Sequence, residues 1–304
     1  MALTYSVIGS GAVGGYYGGR LAKAGRTVRF LLRSDYEYVR EHGLQVDSVD
    51  GSFHLQPLEA YNDTRAMPKS DVVLVALKTT TNHRLPQLLA PIVDEKTLVV
   101  LIQNGIGVEA DVQQMFPNLQ LVAGLAFICS AKTSPGRVNH QCYGSINFGN
   151  YSASPEAVAL LLDDFLQAGV KAAEVPYLEA RWRKAVWNMP FNGMTVALNT
   201  STDQLLRCPA TRLLIRRQML EVVGAARAQG VEALTDDFAD EMLRMTDAMV
   251  PYSPSMKLDY DFHRAMEIHY LYTRPIEEAR RAGFAMPRLA MLEAELMFLS
   301  VHSS

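Results

Sequence analysis

The sequence predicts an α/β fold, with a doubly wound parallel sheet in the N-terminal part and an all-helical C-terminal part. In the first half, short β-rich runs alternate with amphipathic stretches, and several runs are apolar at consecutive positions. That pattern is typical of parallel strands covered by helices on both faces. From Pro176 onward the apolar residues recur with helical periods. We therefore expect two domains, residues 1–175 and residues 176–304.

Extended runs define the first part. The predicted strands are Thr4–Ile8, Thr27–Leu32, Val72–Leu77, Leu98–Ile102 and Leu121–Phe127. Asp50-Gly51 separates two further runs within Leu44–Gln56, which predicts a β-hairpin after the second strand. Arg137–His140 and Ser145–Phe148 are predicted as an additional pair of strands.

Helical periods define the second part. The predicted helices are Leu178–Leu198, Thr211–Gln229, Thr235–Met249, Asp261–Ala282 and Pro287–Leu299. Gly230 and Gly283 stand where helices are expected to end, because glycine readily adopts the left-handed conformation that terminates a helix. Pro287 suits the first turn of a helix, where no backbone N–H donor is needed.

Composition excludes several classes of protein. The chain has 304 residues, of which 49% are apolar and 20% charged, and this is too apolar for a disordered chain. Its apolar runs, such as Val72–Leu77, fall far short of the roughly 18 residues that span a bilayer. The N-terminus lacks the basic segment of a secretory signal. A net charge of −3 argues against binding to nucleic acid or to an anionic membrane.

The number and spacing of the cysteines exclude two kinds of cysteine site. Cys129, Cys142 and Cys208 are odd in number and widely spaced, so they predict neither a disulfide framework nor a zinc site. We expect no bound metal. The sequence therefore predicts a soluble, cytoplasmic protein. It leaves the oligomeric state open between a monomer and a homodimer.

A glycine-rich loop follows the first strand. Gly9, Gly11 and Gly14 form G-x-G-x-x-G between a predicted strand and a helix that Gly25 closes, which is the context of a Rossmann-type dinucleotide-binding fold. Gly9 would make the tight turn, Gly11 would let the backbone approach the pyrophosphate, and Gly14 would let the helix pack on the strand. The alternative is a glycine-rich turn without a ligand.

The end of the second strand indicates which dinucleotide binds. Folds that bind NAD place an acid there to accept hydrogen bonds from the ribose 2′-hydroxyl. This chain instead has Arg33, and no acid before Asp35. A guanidinium suits a 2′-phosphate, so Arg33 predicts NADP(H). The alternative is a solvated surface arginine.

Three polar residues recur on one predicted helix of the second part. Lys184, Asn188 and Asn192 are spaced four apart, which places them along one helical face. The alternative is that they form the solvated stripe of the helix. Pro190 should kink this helix and leave the Val186 carbonyl without its usual donor.

Taken together, these motifs resemble those of the ketopantoate reductases (2-dehydropantoate 2-reductases), members of the 6-phosphogluconate-dehydrogenase-like superfamily. The resemblance covers essentially the whole chain. It rests on the N-terminal glycine motif, on Lys78 after the third strand, on Gln103-Asn104-Gly105-Ile106-Gly107, on Trp182 with Lys184, Asn188 and Asn192, and on Ser255 with Glu267. It implies a Rossmann domain followed by a helical domain.

The resemblance also implies roles for these residues. The three motif glycines would hold the pyrophosphate of NADPH, Arg33 its 2′-phosphate, and Lys78 would lie at the edge of the cofactor. Asn104 would lie near the nicotinamide ribose and the substrate. Lys184 would be the general acid. Asn188, Asn192 and Ser255 would bind the carboxylate and hydroxyl of the substrate, and Glu267 would orient the lysine or bind the substrate.

Simpler roles stay open for several of these residues. Lys78 could merely end a strand, and Asn104-Gly105 could form only a turn. Ser255 could cap the helix that follows it, and Glu267 could pair with Arg264 on one helical face.

The chain departs from the family pattern at several positions. Tyr272-Thr273 stand where the family often has Asn and Gly, and Met266, His269 and Pro190 are also unusual. These departures put the identity of the substrate in doubt but leave the chemistry intact. The expected activity is NADPH-dependent reduction of a small 2-oxo acid to a 2-hydroxy acid, with ketopantoate to pantoate, in pantothenate and coenzyme A synthesis, as the leading candidate. The alternatives are a related β-hydroxyacid or opine-type dehydrogenase, and a non-catalytic NADPH sensor.

Overall fold

A computed structural model describes residues 2–302 of the chain, and these form two compact units. The first unit takes the chain up to Gln103 and again over Val108–Tyr177. The second takes Asn104–Gly107 and the chain from Leu178 onward. The short excursion at Asn104–Gly107 was not predicted. The predicted division of the chain into two functional domains, 1–175 and 176–304, stays a prediction.

Within the part of the chain that the structure describes, the first unit contains a ten-stranded mixed sheet. Its strands are β1 (Thr4–Ile8), β2 (Thr27–Leu31), β3 (Leu44–Ser48), β4 (Phe53–Leu55), β5 (Glu59–Tyr61), β6 (Val72–Val75), β7 (Leu98–Leu101), β8 (Gln120–Ser134), β9 (Arg137–Asn150) and β10 (Ala172–Val175). They lie in the order β4-β3-β9-β8-β7-β6-β1-β2-β5, and β10 pairs with β9. The six neighbouring strands β5, β2, β1, β6, β7 and β8 run parallel to one another, which confirms the doubly wound core.

Burial explains why these strands could be predicted. Every residue of β6 and β7 is buried, because helices cover the parallel part of the sheet. The helices of this unit are α1 (Ala12–Lys23), α2 (Tyr36–His42), α3 (Leu85–Leu89), α4 (Val108–Met115) and α5 (Pro155–Gln167). Gly25 follows α1 with a φ of 86°, as expected for the glycine that closes a helix.

The antiparallel additions to the sheet bear out one prediction and correct another. β3 and β4 form the hairpin predicted around Asp50-Gly51. Arg137–His140 and Ser145–Phe148, predicted as two strands, belong to the single strand β9, so that prediction was wrong. The register of β9 against β8 shifts on both sides of the Tyr143–Cys142 segment, and Tyr143 has a φ of 63°. Bulges thus keep residues 141–144 within one strand.

The second unit is helical. Its helices are α6 (Tyr177–Ala197), α7 (Thr202–Arg207), α8 (Pro209–Ala228), α9 (Asp236–Asp247), α10 (Ser255–Asp261), α11 (Arg274–Arg281) and α12 (Pro287–His302), with a π-helical turn at His269–Thr273. Trp182, Met219 and Leu289 lie fully buried in its core. Gly230 and Gly283 follow α8 and α11 with positive φ, and Pro287 opens α12, as predicted. Over residues 2–302, no helix combines the length and apolar character needed to cross a bilayer.

The helix predicted over Asp261–Ala282 was wrong in its first half, whereas the π-helical turn and α11 confirm its second half. The chain leaves α10 after Asp261 and turns at His263, which has a φ of 51°. Arg264 stabilises this turn, because its backbone N–H donates to the Asp259 carbonyl at 2.7 Å and its guanidinium lies 3.0 Å from the Asp259 carboxylate. Glu267 consequently lies outside any helix, and it does not share a helical face with Arg264.

Candidate active site

The glycine-rich loop joins β1 to α1 at the point where the strand order reverses. β1 pairs with β2 on one side and with β6 on the other, and open α/β sheets bind ligands at such a switch point. Gly9 has a φ of 97°, and a Cβ there would lie 2.6 Å from the backbone N of Leu77. A Cβ at Gly14 would collide with the carbonyl oxygen of Gly9. Both positions therefore require glycine for the close passage of the backbone.

The geometry of Gly11 fits a bound pyrophosphate. A Cβ added there would have no atom within 4 Å, so the space beside this residue is open. Gly11 is the N-cap residue of α1, and the first turn of α1 contains no acidic side chain. The N–H groups of a first helical turn lack intrahelical acceptors and favour an anion. The loop therefore suits the phosphates of a dinucleotide.

Two cations stand at strand ends of the first unit. Arg33 follows β2 and is exposed, and its guanidinium takes part in no hydrogen bond or ion pair within residues 2–302. Lys78 is also exposed, lies three residues after the end of β6, and precedes a 3₁₀ turn at Thr79–Arg84. The strand therefore ends earlier than predicted, and Lys78 does not terminate it.

Asn104 belongs to a loop that packs with the helical unit. The backbone N–H of Ile106 donates to the Tyr270 carbonyl at 3.0 Å. Gly105 has a φ of 112°, and a Cβ there would lie 2.5 Å from the same carbonyl oxygen. Asn104, which is half-buried, is therefore more than the first residue of a simple turn, because its loop is fixed against the π-helical turn.

One face of α6 lines a small pocket inside the second unit. Arg181, Lys184 and Asn188 lie on this face at spacings of three and four. The other residues that line the pocket are Gly105, Ile106, Ala185, Met189, Tyr270, Leu271 and Pro275. The pocket has a volume of about 10 Å³, which is close to the space of one water molecule.

Lys184 is electrostatically unusual. The pKa of its ammonium group is lowered to about 7, chiefly because the group is buried and also because Arg181 beside it is positively charged, while the carboxylate of Glu267 opposes both effects. An ordinary lysine side chain has a pKa of about 10.4, so the surroundings of Lys184 change its pKa strongly. A lysine whose pKa lies near neutrality can exchange a proton at physiological pH, and perturbed groups of this kind are concentrated at functional sites.

Comparison with known proteins identifies the family. The model described as "Ketopantoate reductase PanE/ApbA" matches residues 5–153, and "Ketopantoate reductase PanE/ApbA C terminal" matches residues 177–299. A protein of Nostoc sp. named 2-dehydropantoate 2-reductase is 42% identical over 302 residues, which cover 97% of this chain and 94% of the relative. The chain belongs to the ketopantoate reductase family. It is thus an oxidoreductase by family, as the resemblance implied.

Solved structures of the ketopantoate reductase family have the same fold. A 2-dehydropantoate 2-reductase from Geobacter metallireducens superposes with a TM-score of 0.94 at 37% identity, and the match covers 99% of this chain and all of that one. The enzyme of the same name from Methylococcus capsulatus gives 0.91 at 32% identity, covering 99% and 98%. The predicted fold class is confirmed. Family membership also indicates a nicotinamide dinucleotide as the cofactor.

The other predicted substrate residues are placed differently. Asn192 is 2% exposed, and its Oδ1 accepts from the Met256 N–H at 3.0 Å while its Nδ2 donates to the Asn188 carbonyl at 2.9 Å. Asn192 therefore fixes the start of α10. Ser255 is exposed there and makes no capping bond, so the capping alternative was wrong. Glu267 is 8% exposed, and its negative charge favours the protonated form of Lys184 and so raises the pKa of that residue.

Two of the departures from the family pattern, Pro190 and Tyr272, lie buried in the helical unit. α6 continues through Pro190 to Ala197 rather than ending there. Tyr272 is fully buried, and its hydroxyl donates to the Met189 carbonyl at 2.5 Å. A Cβ on Gly193 would lie 2.7 Å from that hydroxyl oxygen, so the tyrosine ring occupies the space beside this glycine. Burial raises the pKa of Tyr272 far above its ordinary range, which keeps the hydroxyl a donor.

Sequence reasoning missed Arg181. It is 2% exposed, which is rare for arginine, and it lines the pocket with Lys184. The signal was its position three residues before Lys184, on the same helical face. A second cavity, about 390 Å³ in volume, lies in the first unit, and none of the predicted site residues lines it. Among residues 2–302 no cluster of His, Cys, Asp or Glu has the makings of a metal site.

Proposed function

We propose that this chain reduces a small 2-oxo acid, 2-dehydropantoate, to the 2-hydroxy acid pantoate with NADPH, as a step of pantothenate and coenzyme A synthesis. The observation that carries the proposal is the pocket on α6, where Lys184 has a pKa of about 7 beside Arg181 and Asn188. A buried cation of this kind suits a substrate that is a carboxylate and that becomes an alkoxide during the reaction. The family of the chain supports the same activity.

The N-terminal part, residues 1–175, would hold the cofactor. Gly9, Gly11 and Gly14 would shape the loop at the pyrophosphate, Arg33 would bind the 2′-phosphate, and Lys78 would lie at the edge of the cofactor. When bound, the reduced nicotinamide supplies a hydride to the carbonyl carbon of the substrate. The exposed guanidinium of Arg33 supports NADPH over NADH.

The helical part, residues 176–304, would supply the proton. The Lys184 ammonium donates a proton from Nζ to the carbonyl oxygen as negative charge develops there, and its positive charge stabilises that oxygen beforehand. Glu267 favours the protonated form of Lys184, because an adjacent carboxylate stabilises an ammonium. Asn104 and Asn188 would orient the substrate.

Asn192 and Ser255 have a less direct place in this scheme. The hydrogen bond from the Met256 N–H to Asn192 ties the start of α10 to α6, so Asn192 would position Ser255 for the carboxylate or hydroxyl of the substrate. We therefore assign Asn192 a positioning role and keep Ser255 as a proposed substrate ligand.

Two other functions make different demands on the site. A β-hydroxyacid or opine-type dehydrogenase would use the same proton donor on a different substrate. A non-catalytic NADPH sensor needs no proton donor, and the depressed pKa of Lys184 argues against that role.

NADPH oxidation measured with a panel of 2-oxo acids distinguishes these functions. We expect turnover with 2-dehydropantoate and lower kcat/KM for straight-chain and aromatic 2-oxo acids. Preferred turnover of another acid would assign a different dehydrogenase, and NADPH binding without turnover of any acid would support the sensor. Light scattering at several protein concentrations tests the homodimer considered above. The cytoplasmic location stays a prediction that cell fractionation tests.

A further inference from the structure

The first acid after β2 is withdrawn from solvent. Asp35 stands two residues after Arg33 and is only 5% exposed. Its carboxylate forms an ion pair with Lys132 and lies 3.4 Å from the backbone N–H of Gly136. An unpaired acid at this position would add negative charge two residues from Arg33 in the chain.

Lys132 comes from a distant part of the sequence. It lies near the end of β8, and Gly136 lies in the turn between β8 and β9. The end of this hairpin has other attachments to the first unit: the Gln45 N–H donates to the Gly136 carbonyl at 2.8 Å, and β3 pairs with β9 over residues 45–48 and 137–140. The ion pair is therefore not the sole attachment of the hairpin.

We propose that Lys132 determines cofactor specificity by neutralising and holding Asp35, so that the end of β2 presents only the positive charge of Arg33 to a 2′-phosphate. This inference rests on the proposed use of NADPH. Lys132 would not need to touch the cofactor, because its effect passes through Asp35, and it is a positioning residue.

The physical reason is the sign of the charge near the phosphate. An unpaired carboxylate within a few residues of Arg33 would repel a 2′-phosphate and would compete for the guanidinium. The ribose 2′-hydroxyl of NADH carries no charge, and a free carboxylate could accept a hydrogen bond from it. Loss of the lysine should therefore weaken NADPH binding selectively.

Fluorescence titration of the full-length protein with NADPH and NADH tests the inference. We expect Lys132→Met, which leaves the Asp35 carboxylate unpaired, to weaken NADPH binding about tenfold and to change NADH binding by less than about twofold. Asp35→Asn should leave NADPH binding within about twofold of the unmodified protein, because it removes the charge together with the ion pair. The double variant Lys132→Met/Asp35→Asn should recover the NADPH affinity.

A purely structural role would give another pattern. If the ion pair only anchored the hairpin, Lys132→Met and Asp35→Asn would weaken both cofactors alike, and that result would overturn the inference. A Lys132→Met loss that Asp35→Asn fails to reverse would overturn it as well. Lys69→Met removes an exposed ion pair with Asp94 in the same unit and should change neither affinity.

Arg33→Ala, titrated in parallel, tests the proposed cofactor separately. An NADPH-selective loss in Arg33→Ala without one in Lys132→Met would retain the proposed NADPH site and reject the role of Lys132. An NADPH-selective loss in both Arg33→Ala and Lys132→Met, reversed in the second by Asp35→Asn, supports the inference. A neutral Arg33→Ala would overturn it together with the assignment of Arg33, because the proposed effect of Lys132 requires that Arg33 meets the 2′-phosphate.

Discussion

The two units handle positive charge in opposite ways. In the first unit Arg33 is exposed at the end of a strand, where water screens its interactions. In the second unit Arg181 is 2% exposed and Lys184 lies beside it in a pocket of about 10 Å³. Exposure leaves a guanidinium free to recognise an anion by its charge. Burial, together with the neighbouring charge of Arg181, instead lowers the pKa of Lys184 to about 7. The protonation of Lys184 therefore changes near neutral pH, which makes the second region sensitive to pH.

The largest effect is expected where the buried charge is removed. Lys184→Ala should lower kcat by about 10²–10⁴-fold, the usual contribution of a general acid, while NADPH affinity stays nearly unchanged. Steady-state kinetics and cofactor titration measure the two quantities. Near-normal kcat in this variant would mean that the proton comes from water or from another residue.

A charge-preserving variant separates two contributions of Lys184. Lys184→Arg keeps a cation but replaces the ammonium by a guanidinium that does not lose its proton at ordinary pH. We expect it to remain far below the unmodified protein in kcat. Arg216→Met, which removes an ion pair with Asp240 at the surface of the same unit, is the matched control and should keep normal turnover.

The exposed charge should matter less and should matter selectively. Arg33→Ala should weaken NADPH binding by about 10- to 100-fold, since a charge-assisted bidentate contact contributes roughly 1.5–3 kcal/mol. NADH binding should hardly change, because NADH lacks the 2′-phosphate. Equal losses for both cofactors would contradict the assignment, and added salt should reduce the difference because the site is solvated.

The pH profile sharpens the contrast between the units. In the proposed mechanism the protonated form of Lys184 is the active one, so kcat/KM should be highest below its pKa of about 7 and should fall as pH rises through that value. Arg181→Met removes a cation that disfavours the ammonium, so the alkaline limb should move to higher pH. Glu267→Gln removes the carboxylate that favours it, so the limb should move to lower pH.

The opposite directions are the diagnostic result for the pH experiment. A merely structural effect of either substitution would change the height of the profile without moving its limb. Arg181→Lys keeps the charge and should leave the limb in place. Shifts in the same direction for Arg181→Met and Glu267→Gln would contradict the electrostatic account of the pocket.

Sequence patterns predicted those features that local chemistry determines. β6 and β7 are apolar at every position because helices cover both faces of the sheet, and this can be read directly. Asp50-Gly51 located its hairpin, since few other residue pairs favour such a turn. The glycine motif predicted the loop after β1, including the close packing at Gly9 and Gly14.

Features that apolar periodicity does not record were not predictable. The helix expected over Asp261–Ala282 is broken at His263 and held by Arg264 on Asp259, and apolar periodicity carries no record of that turn. Arg181 looks like an ordinary charged residue until the fold buries it beside Lys184. The depressed pKa of Lys184 likewise arises from its surroundings rather than from its spacing in the sequence.

The loop at Asn104–Gly107 restricts where the coding sequence can be cut to express or exchange the helical unit. Its Ile106 is 4% exposed and belongs to the apolar core of the helical unit, although some seventy residues of the other unit follow it in the chain. A gene fragment that begins at Leu178 would therefore encode an incomplete core and would leave the Tyr270 carbonyl without the Ile106 N–H. Recombination between two relatives at Leu178 would exchange most of the helical unit but keep the loop Asn104–Gly107 from the other parent. Functional chimaeras therefore require a Tyr270 segment that is compatible with this loop.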